Sequence, residues 1–258
     1  MQADAYVGDH MNRSYCVAMR SGAFFDLDNT LVRGSSLFHF GRFAVTRGFL
    51  SRRELLRFAR AEAELAIRRT EPDGAPASVA ARVLSLVRGQ RADGLADLAR
   101  EFARLHLTDR CVPAVVGELR MFQEVGLDTW LVTASPQELA DAIRHELGMT
   151  GAIGTVSEIV DGRYTGRLAG PINHGPAKAH LVAQLAAREG VDLAHSWAYS
   201  DSINDLPLLA SVQVPIVVNP NRHLAAVAAK NDWRVIRARK AERTRRAEPR
   251  RTRARTSA

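Results

Sequence analysis

Two aspartates stand one residue apart at the end of an apolar run, in the segment AFFDLDNTLV of residues 23–32. If Asp26 and Asp28 were both ionised in a partly buried position they would repel each other, because burial strengthens the repulsion between like charges. A cation would relieve that repulsion. The pair therefore predicts a site in which acids are combined with positive charge.

Side chains in three later segments could complete this site. Phosphoryl transfer is a reaction that would use all of them. Asp26 can attack phosphorus and form an acyl phosphate, which splits one difficult hydrolysis into two easier steps. Asp28 can protonate the leaving oxygen and then deprotonate the attacking water. The later residues are Thr133 in WLVTAS, Lys178 in NHGPAKAHL, and Asp201 and Asp205 in YSDSINDLPLL.

The later residues have the chemistry that a phosphoryl group and its counter-ion need. Thr133 can hydrogen-bond a phosphoryl oxygen, and Lys178 offers positive charge to the transferring group and to the crowded carboxylates. Asp201 can hold Mg²⁺, a hard cation that prefers oxygen ligands. Asp205, one helical turn after Asp201, can bind waters of the ion or orient Lys178. We therefore predict Mg²⁺ as the cofactor.

Short apolar runs that end in polar residues predict the strands that position these groups. Continuous apolar strands separated by helical segments are typical of a parallel sheet covered on both faces, so we predict an α/β fold with a doubly wound parallel sheet. Ligands bind beyond the carboxyl ends of such strands. The runs are GAFFDLD, WLVTAS at 130–135, SWAYSD at 196–201 and VPIVVNP at 214–220.

Two insertions interrupt the alternation of strands and helices. The first is predicted to be a helical cap: Ser51 and Glu54 have capping-box spacing behind Gly48, a loop covers 70–78, and further helices are expected near 78–88 and 92–106. In the second, IGTVSEIVDGRYTGRLAG, the pair Asp161-Gly162 between two alternating runs predicts a β-hairpin. The predicted division is an extension at 1–20, a core at 21–34 and 112–236, a cap at 35–111 and a tail at 237–258.

These motifs resemble those of the haloacid dehalogenase-like phosphohydrolases, and most closely the phosphoserine-phosphatase-like branch with a helical cap after the first strand. DLDNT fits the D-x-D-x-T signature, and LVTASP, PAKAHL and YSDSINDLPLL fit the three later motifs, from about residue 22 to 235. The resemblance implies a Rossmann-like core and a Mg²⁺-dependent phosphatase that acts on a small phosphorylated metabolite.

The resemblance also implies roles for individual residues. Asp26 would be the phosphorylated nucleophile and Asp28 the acid and base. Asp26, the main-chain carbonyl of Asp28, and Asp201 would hold Mg²⁺, with Asp205 in support. The substrate phosphate would be bound by Thr133, Ala134, Lys178 and Asn204.

Three positions limit these assignments. Ser135 opens a capping box with Pro136 at the first helical position, which favours a helix cap over a catalytic role. His174 is the histidine nearest Lys178 in the sequence, and a loop histidine is favoured over a catalytic one. Phosphoserine phosphatases of this branch carry a glutamate nine residues after the nucleophile, and Ser35 stands there, which argues against phosphoserine as substrate.

The net charge of +8 lies in the tail. Residues 237–258 hold ten Lys and Arg and two acids, so the rest of the chain is neutral overall. With almost no large apolar residues the tail is predicted to be disordered. A solvated tail is favoured over one that contacts nucleic acid or another anionic surface. The predicted cap, counted from 35 to 112, has 14 Arg and 9 acids, which suits an anionic substrate.

Composition argues against a membrane-spanning protein, a secreted protein and a disulfide framework. No apolar run approaches the roughly 20 residues that cross a bilayer, and the first twenty residues do not resemble a secretory signal. Two distant cysteines predict neither a disulfide framework nor a metal-binding pair, so a cytoplasmic location is expected. A phosphomutase or phosphotransferase would use the same residues, and a regulatory protein would bind nucleic acid through the tail.

Overall fold

The computed structural model describes residues 20–56, 60 and 75–238. Predictions for the N-terminal extension before residue 20, for 57–59 and 61–74 of the cap, and for the tail after 238 lie outside the described residues. Within the described ranges, no helix combines the length and apolar character that a membrane span requires.

Six of the eight described strands form one sheet in the order β3-β2-β1-β6-β7-β8, and every neighbouring pair is parallel. This confirms the predicted α/β fold with a parallel sheet. The strands are β1 Gly22–Phe25, β2 Asp128–Pro136, β3 Gly151–Thr155, β4 Ser157–Val160, β5 Arg163–Leu168, β6 Trp197–Ser200, β7 Val214–Val218 and β8 Arg234–Ile236.

Alternating side chains of the apolar strands supply both faces of the sheet. Phe25 and Tyr199 pack with Leu119 in one core cluster, whereas Phe24 and Val182 belong to a second cluster. Successive residues of a strand point to opposite faces, so a strand buried on both sides is apolar throughout. The flanking helices are α4 Pro113–Glu124 and α5 Gln137–Glu146 on the first face, and α6 Pro176–Glu189, α7 Leu206–Leu209 and α8 Arg222–Lys230 on the second.

The chain reverses its direction across the sheet at β1. It proceeds from β1 through β2 to β3, and then returns to β6 on the other side of β1. The register pairs Phe25 with Leu131 of β2 and with Tyr199 of β6. Such a reversal leaves a crevice at the carboxyl ends of the two strands that flank it. Residues that follow β1 and β6 therefore face the same crevice.

The segment between β1 and α4 contains α1 Ser36–Thr46, α2 Ala75–Val87 and α3 Ala92–His106. Phe40 and Phe43 of α1 pack against Phe102 of α3, with ring centroids 5.6 and 5.8 Å apart. The predicted capping box is confirmed, because the Ser51 N–H donates to Glu54 Oε2 (2.7 Å) and the Glu54 N–H donates to Ser51 Oγ (3.2 Å). The division into a core and a cap stays a prediction.

The two connections between this helical segment and the sheet run side by side. The Arg33 N–H donates to the Arg110 carbonyl (2.9 Å), and the Val112 N–H donates to the Leu31 carbonyl (2.8 Å). Val32 and Cys111 form an isolated antiparallel bridge between them. The outgoing and returning segments are thus tied together by main-chain hydrogen bonds.

The predicted hairpin is confirmed as β4 and β5. Asp161 and Gly162 have φ of 49° and 72°, as a tight two-residue turn requires. Residues 153–155, however, were predicted within this insertion and belong to β3 of the main sheet. A Cβ on Gly151 would lie 2.1 Å from the Trp130 ring, so packing demands glycine where strand patterns favour larger residues. The edge strand β8 was not predicted either.

Candidate active site

A cavity of about 260 Å³ opens at the carboxyl ends of β1, β2 and β6. We call it the carboxylate cavity. It brings together every predicted site residue except Asn204. Its lining residues are Asp26, Asp28, Asn29, Thr133, Ala134, His174, Lys178, Asp201, Ser202 and Asp205.

A tight turn after β1 directs two carboxylates into this cavity. The Asp26 N–H donates to the Tyr199 carbonyl (2.9 Å), which continues the pairing of β1 with β6 by one residue. Asn29 adopts a left-handed φ of 57°, a conformation that asparagine tolerates better than most residues. Asp28 is held from the other side, because its Oδ1 accepts the N–H of Ser36 at the start of α1 (2.9 Å).

Lys178 lies in the first turn of α6 and reaches two of the acids. Its Nζ donates to Asp26 Oδ1 (2.8 Å) and to Asp205 Oδ2 (2.7 Å). The lysine is 3% exposed, and Asp205 also accepts the Ser200 hydroxyl (2.7 Å). Gly175, with a positive φ of 56°, precedes the helix and allows the sharp entry. The contact is the geometry expected if Asp205 orients Lys178.

Burial and crowding shift the proton affinities of these groups. Burial raises the pKa of Asp26 to about 6, against the attraction of Lys178 and with the help of the Asp205 and Asp28 charges. Burial, followed by the charges of Asp26, Asp205 and Asp28, raises the pKa of Asp201 to about 8. Burial alone would lower the pKa of Lys178, but the charges of Asp26 and Asp205 outweigh it and raise that pKa. One ammonium group therefore leaves the acids under-compensated.

The predicted metal ligands combine side-chain carboxylates with a main-chain carbonyl. Across residues 20–56, 60 and 75–238, no group of three or more His, Cys, Asp and Glu side chains would hold a metal by itself. The predicted set needs only two side-chain carboxylates, those of Asp26 and Asp201, because the third protein ligand is the carbonyl of Asp28. All three residues line the carboxylate cavity.

The prediction that Ser135 caps a helix is wrong. Helix α5 begins at Gln137 without a side-chain cap, because β2 continues through Pro136. The Ser135 hydroxyl is buried and lies 3.0 Å from the hydroxyl of Ser36, and the Ser135 N–H donates to Thr133 Oγ1 (3.1 Å). Glu138, the other half of the expected box, accepts the hydroxyl of Tyr164 from the hairpin (2.6 Å).

One buried polar residue beside the cavity, Asn173, was not singled out from the sequence. Asn173 is fully buried and its amide donates to the Thr133 carbonyl (2.9 Å), which joins the loop before α6 to the end of β2. Its neighbour His174 lines the carboxylate cavity, although a loop role was favoured for it. The signal in the sequence that could have placed His174 in the cavity is its position four residues before Lys178. The partner of Asn173 lies 40 residues away, beyond the reach of any local pattern.

Two predicted positions lie outside this arrangement. Asn204 is half-buried and does not line the carboxylate cavity. Its N–H donates to the Ser202 hydroxyl (3.2 Å), and its role in phosphate binding stays a prediction. Ser35, which stands where an acid was expected, is the N-cap of α1 and accepts the Phe38 N–H (3.1 Å).

Comparison with known proteins points to one family. A family model described as haloacid dehalogenase-like hydrolase matches residues 23–210. Phosphoserine phosphatase SerB1 of Mycobacterium tuberculosis is 39% identical over 219 residues, which cover 85% of this chain and 71% of that protein. The histidinol-phosphatase of Neisseria meningitidis is 29% identical over 224 residues, or 84% of this chain and 99% of that protein.

A solved structure has a similar fold. The crystal structure of a protein of unknown function from Bordetella pertussis Tohama I matches with a TM-score of 0.74 at 32% identity. The match covers 84% of this chain and 98% of that one.

Proposed function

Because this chain belongs to the haloacid dehalogenase-like hydrolases and is a phosphatase of the phosphoserine-phosphatase-like kind, we propose that it hydrolyses a small phosphomonoester through a phosphorylated Asp26, with Mg²⁺ as cofactor. The observation that carries the proposal is the position of Lys178. Its ammonium group lies within 2.8 Å of the acid that would attack phosphorus, inside a cavity also lined by Asp28 and Asp201.

In the first step Asp26 attacks phosphorus. Lys178 contacts Oδ1 of Asp26, so we assign the attack to Oδ2. The bond between this oxygen and phosphorus forms while the bond from phosphorus to the leaving oxygen breaks. The carboxyl proton of Asp28 passes to the leaving oxygen, which departs as an alcohol.

In the second step water replaces Asp26 on phosphorus. The water oxygen attacks phosphorus, the bond to Asp26 breaks, and the water proton passes to Asp28. Inorganic phosphate leaves, and both aspartates return to their starting states. The hydrogen bond from the Ser36 N–H to Asp28 Oδ1 supports this assignment, since it holds the acid and base in a fixed orientation through both steps.

The residues present fit a magnesium ion. Carboxylate and carbonyl oxygens are the ligands that Mg²⁺ prefers, and the four aspartates of the cavity have a single lysine as a counter-charge among the lining residues. Asp26, Asp201 and the carbonyl of Asp28 would hold the ion. When bound, Mg²⁺ supplies positive charge to the phosphoryl oxygens and offsets the repulsion between the acids.

The substrate class is a small phosphate ester. The names of two relatives denote different substrates, phosphoserine and histidinol phosphate, so relationship alone does not select one. Ser35 caps α1 and carries no charge, which disfavours a phosphoserine site built on an acid at this position. The carboxylate cavity holds about 260 Å³, a volume that suits a small ester.

A substrate screen tests the proposal. Phosphoserine, histidinol phosphate and other small phosphate esters are offered with Mg²⁺, and phosphate release is measured for the wild type, for Asp26→Asn and for Asp161→Asn. Asp161 lies in the exposed hairpin turn, where asparagine tolerates the left-handed conformation, so this variant is the matched control. Phosphatase activity that survives Asp26→Asn would remove Asp26 from the mechanism.

A further inference from the structure

A second polar cavity lies between α1, α3 and the Thr108–Arg110 turn. Its volume is about 150 Å³. Two arginines and two histidines line it, and none of its lining residues is acidic. The carboxylate cavity, in contrast, is lined by four aspartates. We call it the arginine cavity, and its lining residues are His39, Arg42, Phe43, Thr46, Phe102, His106 and Arg110.

Arg110 carries a buried donor that lacks a partner. Its main chain is fixed, since the N–H donates to the Leu107 carbonyl and the carbonyl accepts the Arg33 N–H (both 2.9 Å). Its Nη1 lies 3.1 Å from His39 Nδ1. Its Nε is buried and has no hydrogen-bond partner in the described part of the chain. An unpaired buried donor on a charged group is costly, so this guanidinium is expected to attract an acceptor that the described residues do not supply.

His39 is neutral and does not offset the charges of the two arginines. Its Nε2 lies 3.1 Å from the Arg33 carbonyl, which can only accept, so Nε2 carries the hydrogen and Nδ1 accepts from Arg110. The ring is then neutral. Burial lowers the pKa of His39 against the pull of the Arg33 carbonyl, and the charges of Arg110 and Arg42 lower it further. The two arginine charges therefore remain uncompensated within the lining.

Glu101, an acid on the facing helix, is already paired. Glu101 of α3 accepts from Arg47 Nε (3.2 Å), and the guanidinium of Arg47 lies 4.8 Å from the centre of the Phe43 ring. Neither Glu101 nor Arg47 lines the arginine cavity. An anion in the cavity would meet guanidinium donors without displacing an ion pair between described residues.

From these contacts we propose that the arginine cavity binds a tetrahedral dianion such as inorganic phosphate or the phosphoryl group of a metabolite. A guanidinium presents its donors in a planar fork that matches a phosphate. One water occupies about 30 Å³ of liquid, so a cavity of about 150 Å³ has room for a tetrahedral oxyanion. The site is separate from the carboxylate cavity and does not depend on the proposed phosphatase activity.

Histidine NMR spectra of the full chain provide the test. Inorganic phosphate is titrated at constant ionic strength with EDTA present, and the imidazole signals of His39, His106 and His174 are followed. We expect saturable shifts at His39 and His106. His174 lines the carboxylate cavity, so shifts confined to its signal would place phosphate there and overturn the proposal.

Substitutions locate the binding charge. Arg42→Ala and Arg110→Gln should each weaken phosphate binding about tenfold or more, since each removes a charge-assisted contact. Arg82→Ala, which removes the same charge from an exposed position of α2, should bind phosphate as the wild type does. Unchanged affinity in Arg42→Ala would refute the site. Arg42 is exposed, so this variant decides the question if Arg110→Gln fails to fold.

Other anions define the ligand class. Acetate, a monoanion, should bind far more weakly than phosphate, and equal binding would overturn the assignment to a tetrahedral dianion. Methylphosphonate carries a carbon on phosphorus and cannot be hydrolysed like an ester. If it binds as phosphate does, the site accepts the phosphoryl group of a metabolite. If phosphate alone binds, the site takes free phosphate.

Discussion

Replacing Lys178 with methionine removes the ammonium group that contacts two buried carboxylates and keeps most of the side-chain volume. The side chains of Lys178, Asp26 and Asp205 are 4%, 10% and 2% exposed. Removal of one partner from a buried ion pair costs about 3–5 kcal/mol, because the remaining charges stay buried without compensation. We expect Lys178→Met to lower the free energy of unfolding by about that amount and to abolish phosphatase turnover.

Urea denaturation in EDTA measures this loss without interference from a bound cation. Lys230→Met is the matched control, because Lys230 is exposed at the end of α8, and it should unfold within about 0.5 kcal/mol of the wild type. The double variant Lys178→Met/Asp205→Asn should recover part of the stability, since it removes one of the two stranded charges, but no turnover. If Lys178→Met is as stable as Lys230→Met, Lys178 does not hold the buried acids as the structure shows.

Three further outcomes are expected. Asp28→Asn should lower kcat by about 10²–10⁴-fold with little change in KM, because a positioned acid and base is lost; steady-state kinetics that show only a raised KM would contradict this. EDTA should abolish phosphate release and added Mg²⁺ should restore it, whereas full activity in EDTA would exclude a metal requirement. Gly151→Ala should destabilise the protein by about 1–3 kcal/mol in urea denaturation, since its Cβ would meet the Trp130 ring. The control Gly117→Ala, in α4 with nothing within 4 Å, should gain up to about 1 kcal/mol, and equal effects at the two positions would contradict the packing of β3.

The accuracy of the sequence predictions followed the range of the interactions involved. The Asp161-Gly162 turn and the capping box of Ser51 and Glu54 depend on backbone conformations within four residues, and both are confirmed. Ser135 has the same capping pattern, yet its hydroxyl meets Ser36, 99 residues away in the sequence. A local pattern indicates which hydrogen bonds a residue can make nearby, but it does not show when a distant partner or a continuing strand prevails.

The amino-acid sequence by itself determined the family, the parallel sheet and the order of the strand ends, since apolar runs and their terminal acids are features of neighbouring residues. Tertiary structure decided which of these groups meet. The sequence predicted that Lys178 would serve these carboxylates, and the fold shows which oxygens it meets, on Asp26 across 152 residues and on Asp205 across 27. The fold also placed Gly151 beside Trp130 and left a buried donor of Arg110 without a partner among the described residues. Burial and long-range proximity exist only after the chain has folded, and they set the charges and the contacts on which the proposed chemistry depends.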